Sequence, residues 1–417
     1  MPSAGPGAAA ADDGPKPNAL HVFALALQSF TVMFVYGLSR VVMPLYLVSL
    51  GFSLAGTGLL IAVGGVGSMA ASLITGAAIE RADRRAVLGW STAFLGALYA
   101  CYIFTTTPGS ISALRLVHGA ATPIVSVASM MLFNDIGGKR SGRVAGVVNQ
   151  CGSVGLVVGP LAGGAALQLA GPRGAFLLAA AVVLAGAAAV FALLPRQGSR
   201  REPVRARRRE RAPFRPDPRF YLVLGVNVLD YVAFQVWMLL LPVHLKADGA
   251  PETLIGTLIT LHSLAYALLQ SYCGRVADAG RGMLLIAAGA CACGALVCLI
   301  PVVQAAWALA AVAIGLGAAL APTYSGIFVE TSRGGGEDGR ARALGLLSAS
   351  SAFGGTVGVA LAGVLGGLSM AVGFGATLVM YWAQAALAGL HAATSGEARP
   401  RPGKPDRTPP PPPLPAR

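Results

Sequence analysis

The chain has 417 residues, 55% of them hydrophobic and only 12% charged, with a mean hydropathy of +0.67. An ordinary soluble domain carries roughly twice that share of charge and could not hide so much apolar surface, so the composition excludes a water-soluble fold. The 31 Lys+Arg against 17 Asp+Glu would suit a nucleic-acid binder, but the positions of those charges exclude that reading too.

Residues 1–19 are small, polar and weakly charged, and the apolar run after them is longer than a signal-peptide core, so no cleavable signal is expected. Twelve apolar runs follow, each long enough to cross about 30 Å of hydrocarbon as a helix. The first six are Leu20–Val48, Leu54–Ile79, Ala86–Thr107, Ser110–Phe133, Val144–Leu169 and Gly174–Leu194. The second six are Phe220–Leu245, Thr253–Cys273, Gly282–Val303, Trp307–Val329, Ala343–Leu368 and Ala371–Ala393. Their many Gly and Ala residues suit helices whose backbones pack closely in lipid. Outside the runs, every Lys and Arg except Arg173 and Lys246 falls on the side of the N-terminus. The positive-inside rule therefore predicts a multi-pass plasma-membrane protein with both termini cytosolic.

The domain reading follows: an N-tail over 1–19, a six-helix bundle over 20–195, a basic linker over 196–219, a second bundle over 220–393 and a Pro-rich tail over 394–417. The linker's Arg205-Ala-Arg-Arg-Arg-Glu-Arg211 run is expected to set topology and meet anionic lipid rather than nucleic acid. The tail, ending in Pro409–Pro413, reads as disordered or polyproline II. Cys101, Cys151, Cys273, Cys291, Cys293 and Cys298 lie in or beside apolar runs without zinc-site spacing and read as small packing residues. No metal or cofactor is expected.

The chain repeats itself. Pro44, Gly51, Gly58, Gly76 and Glu80 recur 198 residues later as Pro242, Gly249, Gly256, Gly274 and Asp278. Arg143, Gly146, Gly155, Gly159 and Gly164 recur 199 residues later as Arg342, Gly345, Gly354, Gly358 and Gly363. An in-phase duplication of apolar runs points to a two-lobed carrier.

Two stretches carry a family resemblance. Gly76-Ala-Ala-Ile-Glu80-Arg81-Ala-Asp83-Arg84-Arg85 resembles motif A of the major facilitator superfamily, with a degenerate copy at Gly274-Arg-Val-Ala-Asp278-Ala-Gly-Arg281. Gly155-Leu-Val-Val-Gly159-Pro160-Leu-Ala-Gly163-Gly164 resembles motif C, which the superfamily associates with exporters such as drug:proton antiporters. Glu80 and Asp83 depart from the usual Asp and Gly of motif A. The resemblance implies an all-α membrane protein with twelve transmembrane helices in two pseudo-symmetric six-helix bundles. It also implies a functional monomer, alternating access, and a central cavity lined by spans one, four, seven and ten.

On the residues alone, the motif A charges can cluster with the cytosolic end of a neighbouring helix, Asp135 being the candidate, and so hold one carrier conformation; a plain topogenic loop is the alternative. Pro160 removes a backbone donor and favours a kink between flanking glycines that admit a close helix. By analogy that helix is span eleven.

Only Arg40, Arg115 and Asp230 are formally charged within the runs. Charge at the bilayer centre costs at least about 2.5–3.5 kcal/mol and is kept where it faces a cavity or a partner. Asp230 lies about 15 Å into span seven at 1.5 Å per residue, near the midplane. Asn227, Asp230, Tyr231, Phe234 and Gln235 fit one sector roughly 140° wide. Asp230 suits a proton-coupling group, a counter-ion for a cationic cargo, or a structural partner for an arginine. In span four, Arg115, His118, Gly119, Thr122, Ser126 and Ser129 form a stripe within about 100° that lines water or packs on another helix. His118 can titrate or simply pack. In span one, Ser29, Tyr36 and Arg40 share a face, span ten offers Tyr324, and span eight offers His262, Tyr266 and Gln270 as a second layer. The two arginines suggest anionic groups on the cargo or an unseen acceptor.

The reading is a proton-driven exporter of a small organic molecule, zwitterionic or partly anionic, whose partners are cargo, protons and lipid. The alternative on the same fold is a proton-coupled importer of an organic acid or other nutrient. A membrane enzyme or sensor is disfavoured, because the three charges lie on three spans and no H-E-x-x-H occurs.

Overall fold

The structure, a computed structural model, describes residues 17–79, 82–196, 218–334 and 336–394. Glu80, Arg81, most of the basic linker and nearly all of both tails lie outside the described residues.

The described chain is helical and contains no strand. The first four apolar runs become α1 (Ala19–Ser49), α2 (Leu54–Ile79), α3 (Arg84–Cys101) and α4 (Pro108–Gly137). The next helical stretch, Ser141–Leu193, has 53 residues. As one rod it would run about 80 Å, more than twice the hydrocarbon thickness. It breaks at Gly171, whose φ of 65° and ψ of −171° leave the helical region just before Pro172. The stretch therefore makes two passes, α5 (141–170) and α6 (172–193).

Then come α7 (Pro218–Ala247), α8 (Glu252–Val276), α9 (Gly282–Val297), α10 (Ala306–Gly334), α11 (Gly336–Leu368) and α12 (Met370–Thr394). Twelve helical segments result among the described residues, in register with the twelve apolar runs. Large side chains such as Ile74, Leu169, Leu268 and Leu390 stand exposed on the outside, a surface that lipid covers and water would not. The face from which α1 starts is the near face; an even number of passes returns α12 to it.

The repeated landmarks have physical causes. Gly51 and Gly249 close α1 and α7 with φ of 85° and 83°, a left-handed conformation that favours glycine. The amides just beyond them, Phe52 and Ala250, donate back to Leu47 and Leu245 at 3.3 and 2.9 Å in the same way. Gly155 and Gly159 of α5 lie against the backbone of Phe30 and Phe34 in α1. Their repeats Gly354 and Gly358 of α11 lie against Val228 and Val232 in α7.

The two halves meet through α2 on α11 and α5 on α8. A Cβ added to Gly58 would sit 2.6 Å from the Val359 carbonyl oxygen and 2.8 Å from Gly363 Cα. Its repeat Gly256 lies against the Pro160 carbonyl, and Gly164 against the Glu252 carbonyl. Thr260 ties the second seam by donating to the Val157 carbonyl at 2.9 Å and accepting from the Leu161 amide at 3.1 Å. Motif C thus packs on α1 and α8, which corrects the expectation that α11 is its partner. The pseudo-twofold places α11 in the equivalent position, on α7 and α2, so the two cannot share one seam.

These contacts all involve residues 54–69, 157–168, 252–260 and 356–366, in the middle and far-face parts of their helices. Toward the near face Gly142, Gly146, Gly274 and Gly345 have open space around them. The halves are closed at the far face and splayed at the near one. Gly256→Leu should wedge the α5–α8 seam apart. We expect a cysteine at Thr260, in a cysteine-free background, to react several-fold faster with an impermeant maleimide; an unchanged rate would show that the seam does not close in this way.

Candidate functional site

The halves part toward the near face, and Arg40 lies where α1 meets α7. The Arg40 guanidinium lies over the Tyr36 ring of its own helix at 5.1 Å and over the Phe234 ring of α7 at 5.5 Å. It is the one charged side chain that reaches across the halves among the described contacts. Tyr36 is half exposed. The Tyr266 ring meets Tyr324 edge-on at 6.1 Å, and Tyr231 is on the neighbouring α7. Arg40 and these aromatic groups from α1, α7, α8 and α10 bound one site.

The sector expected on α7 is divided among three neighbours. Asn227 is fully buried and donates to Ser350 and Ser351 of α11 at 2.8 and 3.0 Å. Gln235 lies beside Gly358, also on α11. Asp230, only 2% exposed, points to α12, where its Oδ1 accepts from Gln384 Nε2 at 3.2 Å. Next to that pair, Trp237 Nε1 donates to the Tyr381 hydroxyl at 3.3 Å. No Lys, Arg or His forms an ion pair with Asp230 among the described residues. The acid therefore sits behind the cavity wall.

The α4 stripe is turned toward its own half. Arg115 Nη2 donates to the Ile61 carbonyl of α2 at 2.9 Å, and its guanidinium packs on Gly64. Gly119 admits the Gly64 backbone. His118 stacks edge-on against Tyr99 at 4.8 Å. Thr122 and Ser126 bond back to carbonyls of their own helix at 3.1 and 3.2 Å. His262 of α8 is likewise buried, edge-on to Trp237 at 5.1 Å in a small, mostly apolar cleft closed by Leu258 and Leu316.

At the near face Asp83 caps α3 by accepting from the Arg85 amide at 3.0 Å. This gives a structural reason for an acid where motif A usually has glycine. Arg84 forms a two-pronged ion pair with Asp135 of α4. Arg85 donates to the Phe191 carbonyl of α6. Both contacts stay within the first half. Gly76 lies near the end of α2; Asp278 and Arg281 are exposed, and the Asp278 carbonyl accepts from Arg333 at 2.7 Å.

The sequence reading missed Glu330. It lies one residue beyond the predicted span ten, yet α10 continues to Gly334 and buries it. Its carboxylate holds Arg219 at 2.7 Å and Arg333 at 3.2 Å. Gln384 was missed as well. A lone polar residue in span twelve was its only sign.

The Major Facilitator Superfamily model matches the sequence twice, over residues 25–238 and 223–415. The chain belongs to the Major Facilitator Superfamily. It is a multi-pass membrane transporter and not an enzyme. No curated protein matches the chain. Among solved structures it resembles a mutant of the nucleoside transporter NupG, with TM-score 0.68 and 14% identity over 90% of this chain and 99% of that one. It also resembles a bacterial homolog of the human lysosomal transporter Spinster, inward-facing and unoccupied, with TM-score 0.71 and 14% identity over 91% and 96%. At that identity the likeness shows the superfamily fold alone.

Burial separates the two polar pairs of this transporter. Gln384→Leu strips a buried carboxylate of its donor and should cost about 1–3 kcal/mol. Arg84→Ala removes a half-exposed surface pair and should cost about 0–1 kcal/mol. Thermal melts of the purified variants compare them; equal losses would mean that the Asp230–Gln384 contact is not a buried one.

Proposed function

We propose that the protein is a proton-coupled exporter of a small organic molecule, working as a monomer in the plasma membrane with both termini cytosolic. The observation that supports the coupling is the setting of Asp230. Among the described residues it is the only acid deep within the passes and it has no cationic partner, and a neutral amide donor from α12 holds it. A carboxyl so placed can take up and release a proton without breaking an ion pair. The absence of a paired arginine weighs against the structural reading of this residue. Its position behind Tyr231 and Phe234 weighs against direct contact with a cationic cargo.

Export is supported by the motif C resemblance, with Gly155, Gly159, Pro160, Gly163 and Gly164 as the surface on which the halves turn. The cavity of the present state then faces the cytosol and loads there. The Arg84–Asp135 pair, with the motif A residues Gly76, Glu80, Arg81, Asp83 and Arg85 and their counterparts Gly274, Asp278 and Arg281, is the proposed near-face gate. Residues 20–195 and 220–393 are the two moving bodies. The basic linker at 196–219, most of it outside the described residues, carries the charge to meet anionic lipid.

Inverted membrane vesicles energised by respiration test this. Added in turn, amino acids, organic acids, organic amines and nucleosides should include at least one compound that discharges the proton gradient in the wild type and not in Asp230→Asn. A compound that moves with protons in the same direction would make the protein an importer. Equal discharge by both proteins would remove Asp230 from the coupling step.

A further inference from the structure

Lipid offers no hydrogen bonds, so every polar group within the passes needs a partner from protein, water or ligand. Those groups can be followed one by one. In the first half Arg115 is held by Ile61 and His118 is packed on Tyr99. In the second half Asn227 is held by Ser350 and Ser351, and Asp230 by Gln384. Some buried polar atoms, among them His118 Nδ1, His262 Nδ1 and Ser263 Oγ, also lack a partner, but Arg40 differs from them in carrying a full charge between the halves. Its guanidinium donates to no described residue and pairs with no described carboxylate. Its only recorded contacts are the faces of Tyr36 and Phe234.

That arrangement has a chemical meaning. Rings stacked on a guanidinium stabilise the cation through its face and leave its in-plane N–H groups free. Those groups match a carboxylate in a two-pronged geometry. The walls nearby add Tyr231, Tyr266 and Tyr324, flat groups that suit a planar ring.

On the reading of this space as the cargo site, we propose that it binds a small organic monoanion carrying an aromatic ring, with Arg40 as the anion anchor. The two-arginine, one-aspartate set expected from the sequence suggested a zwitterionic or partly anionic cargo. Arg115 and Asp230 are engaged elsewhere, so among the described residues Arg40 is the positive charge that faces the cargo. The negative group enters from the near face and stops against Arg40, with the ring among the tyrosines.

Four probes of similar size separate charge from ring: 4-hydroxybenzoate, 4-hydroxybenzamide, 4-hydroxybenzylamine and cyclohexanecarboxylate. Titrated into the purified full-length protein and read by thermal shift, 4-hydroxybenzoate should bind at least about tenfold more tightly than each of the others. Arg40→Gln should erase that preference, while Arg40→Lys should retain part of it. Should either variant fail to fold, the wild-type ranking decides. Equal binding of all four, preference for the amine, absence of 4-hydroxybenzoate binding, or undiminished binding by Arg40→Gln would overturn the proposal. Equilibrium binding needs no proton flux, so these results stand apart from the vesicle test of coupling.

Discussion

The direct contact of one backbone with another at Gly58–Gly363 and Gly256–Pro160 governs the rest of the molecule. Neither contact leaves room for a Cβ. Each is short, dry and made of atoms without rotamers, so helices can turn on it without repacking long side chains. Both lie in the middle and far parts of their helices. The halves are therefore joined there and free toward the near face, with Arg40 of α1 reaching α7 between them. The duplication explains why there are two such seams. Each half contributes one helix with the α5 pattern and one with the α2 pattern, and the seam is made by the α5 type of one half on the α2 type of the other.

Most polar bonds between passes join helices of the same half. Asn227, Asp230, Gln384 and Glu330 hold helices of the second half together, and Arg115 and His118 do so in the first. This leaves each half able to move as a body, because few polar bonds cross between them. Among the described residues those that cross run from Thr260, and from Thr253 to Gln168 at 2.7 Å, on the α5–α8 seam, with a long contact from Thr356 to Met69 Sδ at 4.0 Å on the α2–α11 seam. Arg40 crosses too, but through ring faces, which tolerate sliding better than a directional hydrogen bond.

Much of this was legible in the residues. Run length and the spacing of Pro44/Pro242 and Gly51/Gly249 gave the passes and the duplication, because helix-stop chemistry and bilayer thickness are local constraints. Burial of Asp230 followed from its depth. The direction of each side chain did not. Asp230 and Tyr231 are neighbours in sequence, yet one faces α12 and the other the tyrosine cluster. A sector of roughly 140° is too wide to tell a cavity from two adjoining helices. The partner of motif C was misassigned for a related reason: glycine spacing shows that something packs closely, and only topology shows what. Glu330 escaped because hydropathy ends a span where charge begins, while the helix and its burial continue.

The central claim is that the two halves pivot on these glycine contacts around a proposed cargo space in which Arg40 is, among the described residues, the free charge. Spin labels at Gly146 and Gly274, on the near-face parts of α5 and α8, and at Leu169 and Ala250, toward the far face, measure it most directly. With 4-hydroxybenzoate and a changing pH, the near-face distances should shorten as the far-face distances lengthen, in matched populations. Distances that stay fixed at both faces, or that change at both faces in the same sense, would contradict it.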